Sequence, residues 1–185
     1  MNGLILAGGQ SSRMGQPKSL LQYQDKPQYL HLKDLLSEHC AQVFVSCRAD
    51  QQTWFTGIET ILDTERYGEI GPLNGVLSAF DREKDKAWLV LGCDYPWLEP
   101  RDLTQLVQSR NPSGVATVFI HPDTHFLEPL LGIYEAAAAP LLRDWLQQGN
   151  ESLRRFLMQH AVEKVVPERP ECLKSVDTPE QMRRG

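Results

Sequence analysis

The sequence lacks a basic run, a long apolar stretch and a metal-type cysteine spacing, and each absence removes a class of function. Its 185 residues carry 19 Lys and Arg against 24 Asp and Glu, a net charge of −5. A nucleic-acid duplex needs a cationic stripe to follow, so none is an expected partner. Apolar runs such as 4–7 and 87–91 fall far below the ~20 residues that span a bilayer. No transmembrane helix is expected. The opening residues have neither a basic leader nor a hydrophobic segment of secretory length, which predicts a cytoplasmic protein.

Four cysteines, Cys40, Cys47, Cys93 and Cys172, fall at irregular spacings, with no pair two residues apart as zinc or thioredoxin-type sites require. Reduced, mostly buried thiols are expected. His121 and His125 stand four apart, which suits a metal only on a helix, and Pro122 and Asp123 between them favour a loop. Two familiar phosphate loops are missing as well. There is no G-x-G-x-x-G and no adjacent Gly-Lys-Ser after Gly9, so neither a Rossmann dehydrogenase nor a P-loop NTPase is indicated.

No repeat, low-complexity tract or linker interrupts the chain, and its length against ~150 residues per domain predicts a single domain over 1–185. A hydrophobic fraction of 41% and a charged fraction of 23% exclude disorder, collagen and coiled coil. What recurs is alternation. Short apolar runs at 3–7, 42–46, 59–62, 87–92 and 114–120 read as strands, separated by segments of helical spacing. Leu30, Leu32, Leu35 and Leu36 form one helical face, and Leu103, Leu106 and Val107 another after Pro100. Buried strands crossed over by helices predict an α/β fold with a mostly parallel sheet covered on both faces. The last third adds strands at 127–134 and 162–166 and helices at 135–148 and 152–160. Pro140 belongs in the first turn of the former helix. A closing helix is expected after Asp177 or Thr178, with Pro179 in its first turn.

The chemistry concentrates after the first strand. Leu6-Ala7-Gly8-Gly9 opens a loop of small and polar residues that ends at Gly15-Gln16-Pro17-Lys18. Backbone N–H groups there can approach an anion without Cβ interference, and Arg13 and Lys18 add positive charge. The position, at the carboxyl edge of a strand in an open α/β sheet, is where ligands bind, and a triphosphate fits. Asp94 follows the run 87–92, so its carboxylate emerges where a hard cation bridging phosphates needs it.

The full string A-G-G-x-x-x-R-M-G-x-P-K resembles the opening motif of the sugar-nucleotide and cofactor nucleotidyltransferases with a GT-A-like fold. Within that superfamily the chain resembles the MobA-like molybdenum cofactor guanylyltransferases over nearly its whole length. Gly71-Pro72-Leu73-Asn74-Gly75, Cys93-Asp94-Tyr95-Pro96, Glu128-Pro129-Leu130 and Asp177-Thr178-Pro179-Glu180 match further family segments. The resemblance implies a three-layer αβα, GT-A-like or Rossmann-like nucleotidyltransferase fold with a mostly parallel mixed sheet. It implies GMP transfer from GTP to molybdopterin, or Mo-molybdopterin, with release of pyrophosphate and with Mg²⁺.

The same resemblance distributes the roles. Leu6, Ala7, Gly8, Gly9, Lys18, Asp63 and Asp94 would contact the nucleotide, with Asp63 accepting from guanine N1–H and the N2 amino group. Arg13, Lys18 and Asp94 would be catalytic. Asp94 and Asp177 would hold the metal, although Asp177 reads equally well as a helix cap. Glu128 lies on the substrate side, and Arg154 and Arg155 either meet the anionic pterin or form a solvated helix face. Gln16-Pro17-Lys18 departs toward the cytidylyltransferase pattern, whereas Gly71-Pro72-Leu73 and the segment 149–157 look guanylyl-like. CTP, or another phosphorylated acceptor such as a sugar or polyol phosphate, is therefore the alternative reading. A further alternative is a non-catalytic nucleotide-binding module that presents cofactor to a chaperone or apoenzyme. Transient contact with cofactor-biosynthesis or apoenzyme partners fits either function.

Overall fold

The computed structural model describes residues 1–9, 17–23 and 25–176. Among them, seven apolar segments pair into one sheet: β1 (Asn2–Leu6), β2 (Val43–Cys47), β3 (Glu59–Leu62), β4 (Trp88–Gly92), β5 (Ala116–Ile120), β6 (Leu127–Tyr134) and β7 (Val162–Val165). Their order is β3-β2-β1-β4-β6-β5-β7. Only β6 runs against its neighbours, β4 and β5, and the other pairs are parallel. The sheet is thus mostly parallel and mixed, as expected.

Side chains alternate faces along each strand, and the core divides accordingly. Ile5, Val45, Leu89, Leu91 and Phe119 pack against α1 (Gln28–Ser37) and α3 (Pro100–Gln108) through Leu32, Leu36, Leu103 and Leu106. Leu4, Phe44, Trp88, Val90 and Val118 face the other way. They meet α2 (Pro72–Arg82), α4 (Ala138–Gln147) and α5 (Leu153–Gln159) through Leu73, Val76, Phe80, Leu142 and Phe156. Three layers result. Each fully buried Leu, Ile or Phe contributes ~1.5–3 kcal/mol relative to exposure, so β1 and β4, covered on both faces, read as nearly continuous apolar runs.

Element ends differ from the sequence expectation by one to three residues, the largest shift being the start of α4 at Ala138. β1 and β2 are displaced by one position, and β5 starts at Ala116 because the Gly114 N–H closes a turn onto the Asn111 carbonyl. Pro140 is the third residue of α4, inside the first turn, where its missing N–H has no intrahelical partner to lose. Ser152 caps α5 by accepting from the Arg155 N–H at 3.3 Å. The segment opened by Gly71 and Pro72 is a helix, α2, which the sequence reading left without a defined element. Its Pro72 occupies the first turn and Leu73, Val76, Leu77 and Phe80 form the buried face. The expected closing helix after Asp177 lies outside the described residues.

Candidate functional site

Chain order reverses direction across the sheet between β1 and β4, and a crevice opens there outside the carboxyl ends of the strands, the usual ligand position in such folds. A cleft of ≈ 940 Å³ fills it. Leu6, Ala7, Gly8, Gly9, Lys18, Asp63 and Asp94 all line this cleft. Arg13 and Asp177 lie outside the described residues.

The β1 turn, Lys18 and Asp94 come together in this cleft. The Ala7 N–H donates to the Ser46 carbonyl at 2.9 Å, ending the β1 ladder and freeing Gly8 and Gly9 to turn across the cleft. A Cβ at Gly9 would meet nothing within 4 Å, whereas one at Gly8 would come within 2.9 Å of Asp63 Oδ2. Lys18 opens a short 3₁₀ turn, Lys18–Leu20, and reaches the same space. Asp94 stands two residues past β4, and Gly92 leaves it room: a Cβ there would lie 2.5 Å from Asp94 Oδ1. The Asp94 turn is anchored by Val176, whose N–H donates to the Asp94 carbonyl at 2.9 Å. From α1, Gln28 Nε2 donates to the Tyr95 carbonyl at 3.3 Å. Burial, and then the Asp94 carboxylate, push the Cys93 thiol far above its usual range, while the Lys18 charge acts the other way. Cys93 therefore stays a neutral thiol beside the cleft and is no nucleophile.

A carboxylate lines the cleft beside Gly8. Asp63 immediately follows β3, its N–H donates to the Cys47 carbonyl at 2.9 Å, and its Oδ1 accepts from the Ser46 hydroxyl at 2.8 Å. Burial holds its pKa above the ordinary carboxylate range, opposed by the Ser46 bond and by the Arg48 charge. Glu65 and Glu69 line the same wall. A ligand edge with two adjacent N–H donors matches this set of acceptors.

Sequence reasoning passed over Ser46, Arg48, Thr64 and Asn74, which also line the cleft. Arg48 is held bidentate on Asp50 at 3.1 and 2.8 Å. Arg48 had a readable signal, since it follows the β2 run at the sheet edge that carries Gly8.

Glu128, Arg154 and Arg155 do not line the cleft. The Tyr95 hydroxyl donates to Glu128 Oε2 at 2.9 Å, and Arg154 approaches the same oxygen at 3.9 Å while its Nε donates to the Leu127 carbonyl. These residues tie the Asp94–Tyr95 turn to the start of β6. Arg155 lines a separate recess of ≈ 380 Å³ with Trp145 and Asn150. His121 and His125 sit on a loop, where the His125 N–H donates to the His121 carbonyl. Among the described residues no group of three or more His, Cys, Asp or Glu is placed to hold a metal, and no helix is long and apolar enough to cross a membrane.

The family model of the MobA-like NTP transferase domain matches residues 3–165. A molybdenum cofactor biosynthesis bifunctional protein of Synechocystis sp. is 30% identical over 180 residues, which are 96% of this chain and 51% of that protein. The chain thus spans about half of that relative's length. A probable molybdenum cofactor guanylyltransferase of Halalkalibacterium halodurans is 31% identical over 151 residues, 79% of this chain and 75% of that one. In fold, the chain is similar to the molybdopterin-guanine dinucleotide biosynthesis protein A of Archaeoglobus fulgidus, with a TM-score of 0.80 at 22% identity, covering 100% of this chain and 96% of that one.

Proposed function

Because the chain belongs to the family of the MobA-like NTP transferase domain, we propose that it transfers GMP from GTP to the phosphate of molybdopterin, releasing pyrophosphate. The observation that carries this reading is the cleft itself. Lys18, Asp94 and the Asp63 carboxylate line one space at the switch of the sheet, which suits phosphates at Lys18 and a base edge at Asp63. Guanine presents N1–H and its 2-amino group side by side, which suits Asp63 backed by Glu65 and Glu69. Cytosine presents one amino donor beside acceptors. The relatives named molybdenum cofactor guanylyltransferases support the same choice.

No protein nucleophile is needed. A phosphate monoester has its second pKa near ~6, so the acceptor is largely dianionic at neutral pH and a general base is dispensable. The protein's contribution is positioning and charge neutralisation. The Gly8 and Gly9 amides, Lys18 and Arg13 would grip the phosphates and stabilise the leaving pyrophosphate. Magnesium fits the donors present: Mg²⁺ takes one or two carboxylates together with phosphate oxygens and waters, and Gly92 keeps space beside Asp94 Oδ1. Asp94, joined by Asp177, would hold it, and when bound it supplies charge neutralisation across the phosphates. Tyr95, Glu128 and Arg154 would shape the acceptor side from the far side of the Asp94 turn.

Incubation with molybdopterin, Mg²⁺ and each of the four nucleoside triphosphates, with products read by mass spectrometry, tests the reading. A guanine dinucleotide from GTP alone is expected, with Lys18→Ala slowing transfer by ~10²-fold, the scale for losing one transition-state charge partner. A cytosine dinucleotide would move the activity to CTP. Nucleotide binding without pyrophosphate release would leave a binding module only.

A further inference from the structure

Asn74 is 4% exposed, is the third residue of α2 and borders the cleft. A buried amide is costly unless it is fully bonded. Three of its four bonds go to Thr64 and Gly68 in the cleft wall. Oδ1 accepts from the Thr64 N–H at 3.0 Å and from the Ser78 hydroxyl at 3.0 Å. Nδ2 donates to the Thr64 carbonyl at 3.0 Å and to the Gly68 carbonyl at 2.8 Å. Two donors and two acceptors are thereby satisfied, and the pattern fixes which end of the amide is oxygen.

We propose that Asn74 is a positioning residue for the nucleotide: its amide holds segment 64–71 so that the adjacent Asp63 carboxylate is aimed at the base. The inference rests on the nucleotidyltransferase reading above. Asn74 pairs with both main-chain groups of Thr64 as a neighbouring strand would, directly after the residue whose own N–H is tied to Cys47 and whose carboxylate is tied to Ser46. Asp63 is thus fixed through three separate contacts. The segment also needs holding, because it ends in two glycines of positive φ, Gly68 at 68° and Gly71 at 61°, conformations that favour glycine. Tyr67 anchors its outer part through the bond of its hydroxyl to Asp81 Oδ2 at 2.7 Å, and Asn74 anchors the part that faces the cleft.

The test uses the whole chain with GTP, CTP, ATP or UTP and Mg²⁺. Asn74→Ala is expected to raise the KM for the preferred nucleotide roughly tenfold, the scale of a lost hydrogen-bond set, with kcat and the acceptor KM unchanged. Asn74→Asp has the same shape and keeps both acceptors but loses both donors. At pH 8 it should match the alanine variant, and its KM should recover toward pH 5 as the new carboxyl gains a proton. A merely space-filling Asn74 predicts wild-type KM for Asn74→Asp at every pH, and that result overturns the proposal. Ser78→Ala, which removes the hydroxyl's bond to Asn74 Oδ1 and the one it accepts from the Thr64 N–H, should shift KM in the same direction by less, and serves if the Asn74 variants do not fold. Amide exchange gives an arm that needs no nucleotide: in Asn74→Ala the N–H groups of Tyr67, Gly68 and Ile70, all bonded within the segment, should exchange faster. Unchanged exchange there contradicts the inference. Failure of the wild type to bind any of the four nucleotides would instead sink the functional reading.

Discussion

The Ser46 hydroxyl donates to Asp63 Oδ1 at 2.8 Å, while Asp63 Oδ2 lies against Gly8, where a Cβ would come within 2.9 Å. One carboxylate oxygen is thus anchored in the fold, and the other stands beside the turn that follows β1.

Asp63→Asn separates binding from folding. Burial raises the Asp63 pKa, so its stabilising contribution is complete below the ordinary value of ~3.9 and is lost as pH rises through the folded value. The ionised group is therefore a cost at neutral pH. The variant should have a Tm at pH 7 equal to or above the wild type, a difference that shrinks in acid. Its GTP Kd should rise by ~10–100-fold, as expected for losing hydrogen bonds to a charged group. Thermal unfolding from pH 4 to 8 with a parallel GTP titration checks both, and a variant that is destabilised yet binds normally contradicts the assignment.

Gly75 sets two effects against each other. Alanine in a helix interior is better than glycine by ~1 kcal/mol, but a Cβ at Gly75 would lie 2.4 Å from Ser46 Oγ and 2.6 Å from Leu6 Cδ2. Overpacking of this kind costs ~1–3 kcal/mol, and moving Ser46 also strips Asp63 of its partner. The expected outcome for Gly75→Ala is a lower Tm together with weaker nucleotide binding. A higher Tm would mean that α2 moves off β1 freely.

Away from the cleft, Arg110 holds the buried Glu135 bidentate at 2.7 and 2.8 Å. Arg110→Ala leaves that carboxylate buried without its partner, a loss of ~3 kcal/mol or more, equivalent to roughly 6–12 °C in Tm for a chain of this size. The nucleotide KM of the surviving folded enzyme should be unchanged.

Thiol chemistry offers a pH test. Burial, then the Asp63 and Asp50 charges, push Cys47 up to about 11, and burial pushes Cys40 up to about 12. Both raised values contribute stability that is complete below the ordinary thiol pKa and is lost as pH rises through about 11 and 12. The folded protein should therefore react negligibly with thiol reagents at pH 8 and expose four thiols on unfolding. Alkaline unfolding should set in above pH ~9. Rapid labelling of Cys47 in the native state would show a looser β2 end than described.

Much of this was legible in the chain. The strands β3 and β6 match the expected ranges, because turn residues bound them. That Gly8, Gly9 and Asp94 line one cleft was readable because strand ends in an open sheet converge on one edge, and Lys18 joins them from the turn after Pro17. Helix α2 was not placed: Asn74 and Gly75 interrupt its apolar pattern, and the reason for each lies across the cleft, in Thr64 and in Ser46. Ser46 itself reads as an ordinary strand residue until β3 sets Asp63 beside it. Such roles depend on pairings between distant segments, which a local pattern does not contain.

Thermal unfolding with Mg²⁺ and GTP, CTP, ATP or UTP in turn, on the wild type and Lys18→Ala, tests most directly that one cleft grips the phosphates at Lys18 and reads guanine at Asp63. Ligand at a hundredfold its Kd adds ~2.7 kcal/mol, or roughly 5–11 °C in Tm here. The account predicts that rise with GTP alone and its loss in Lys18→Ala. Equal shifts with all four nucleotides, or a GTP shift that survives the substitution, would contradict it.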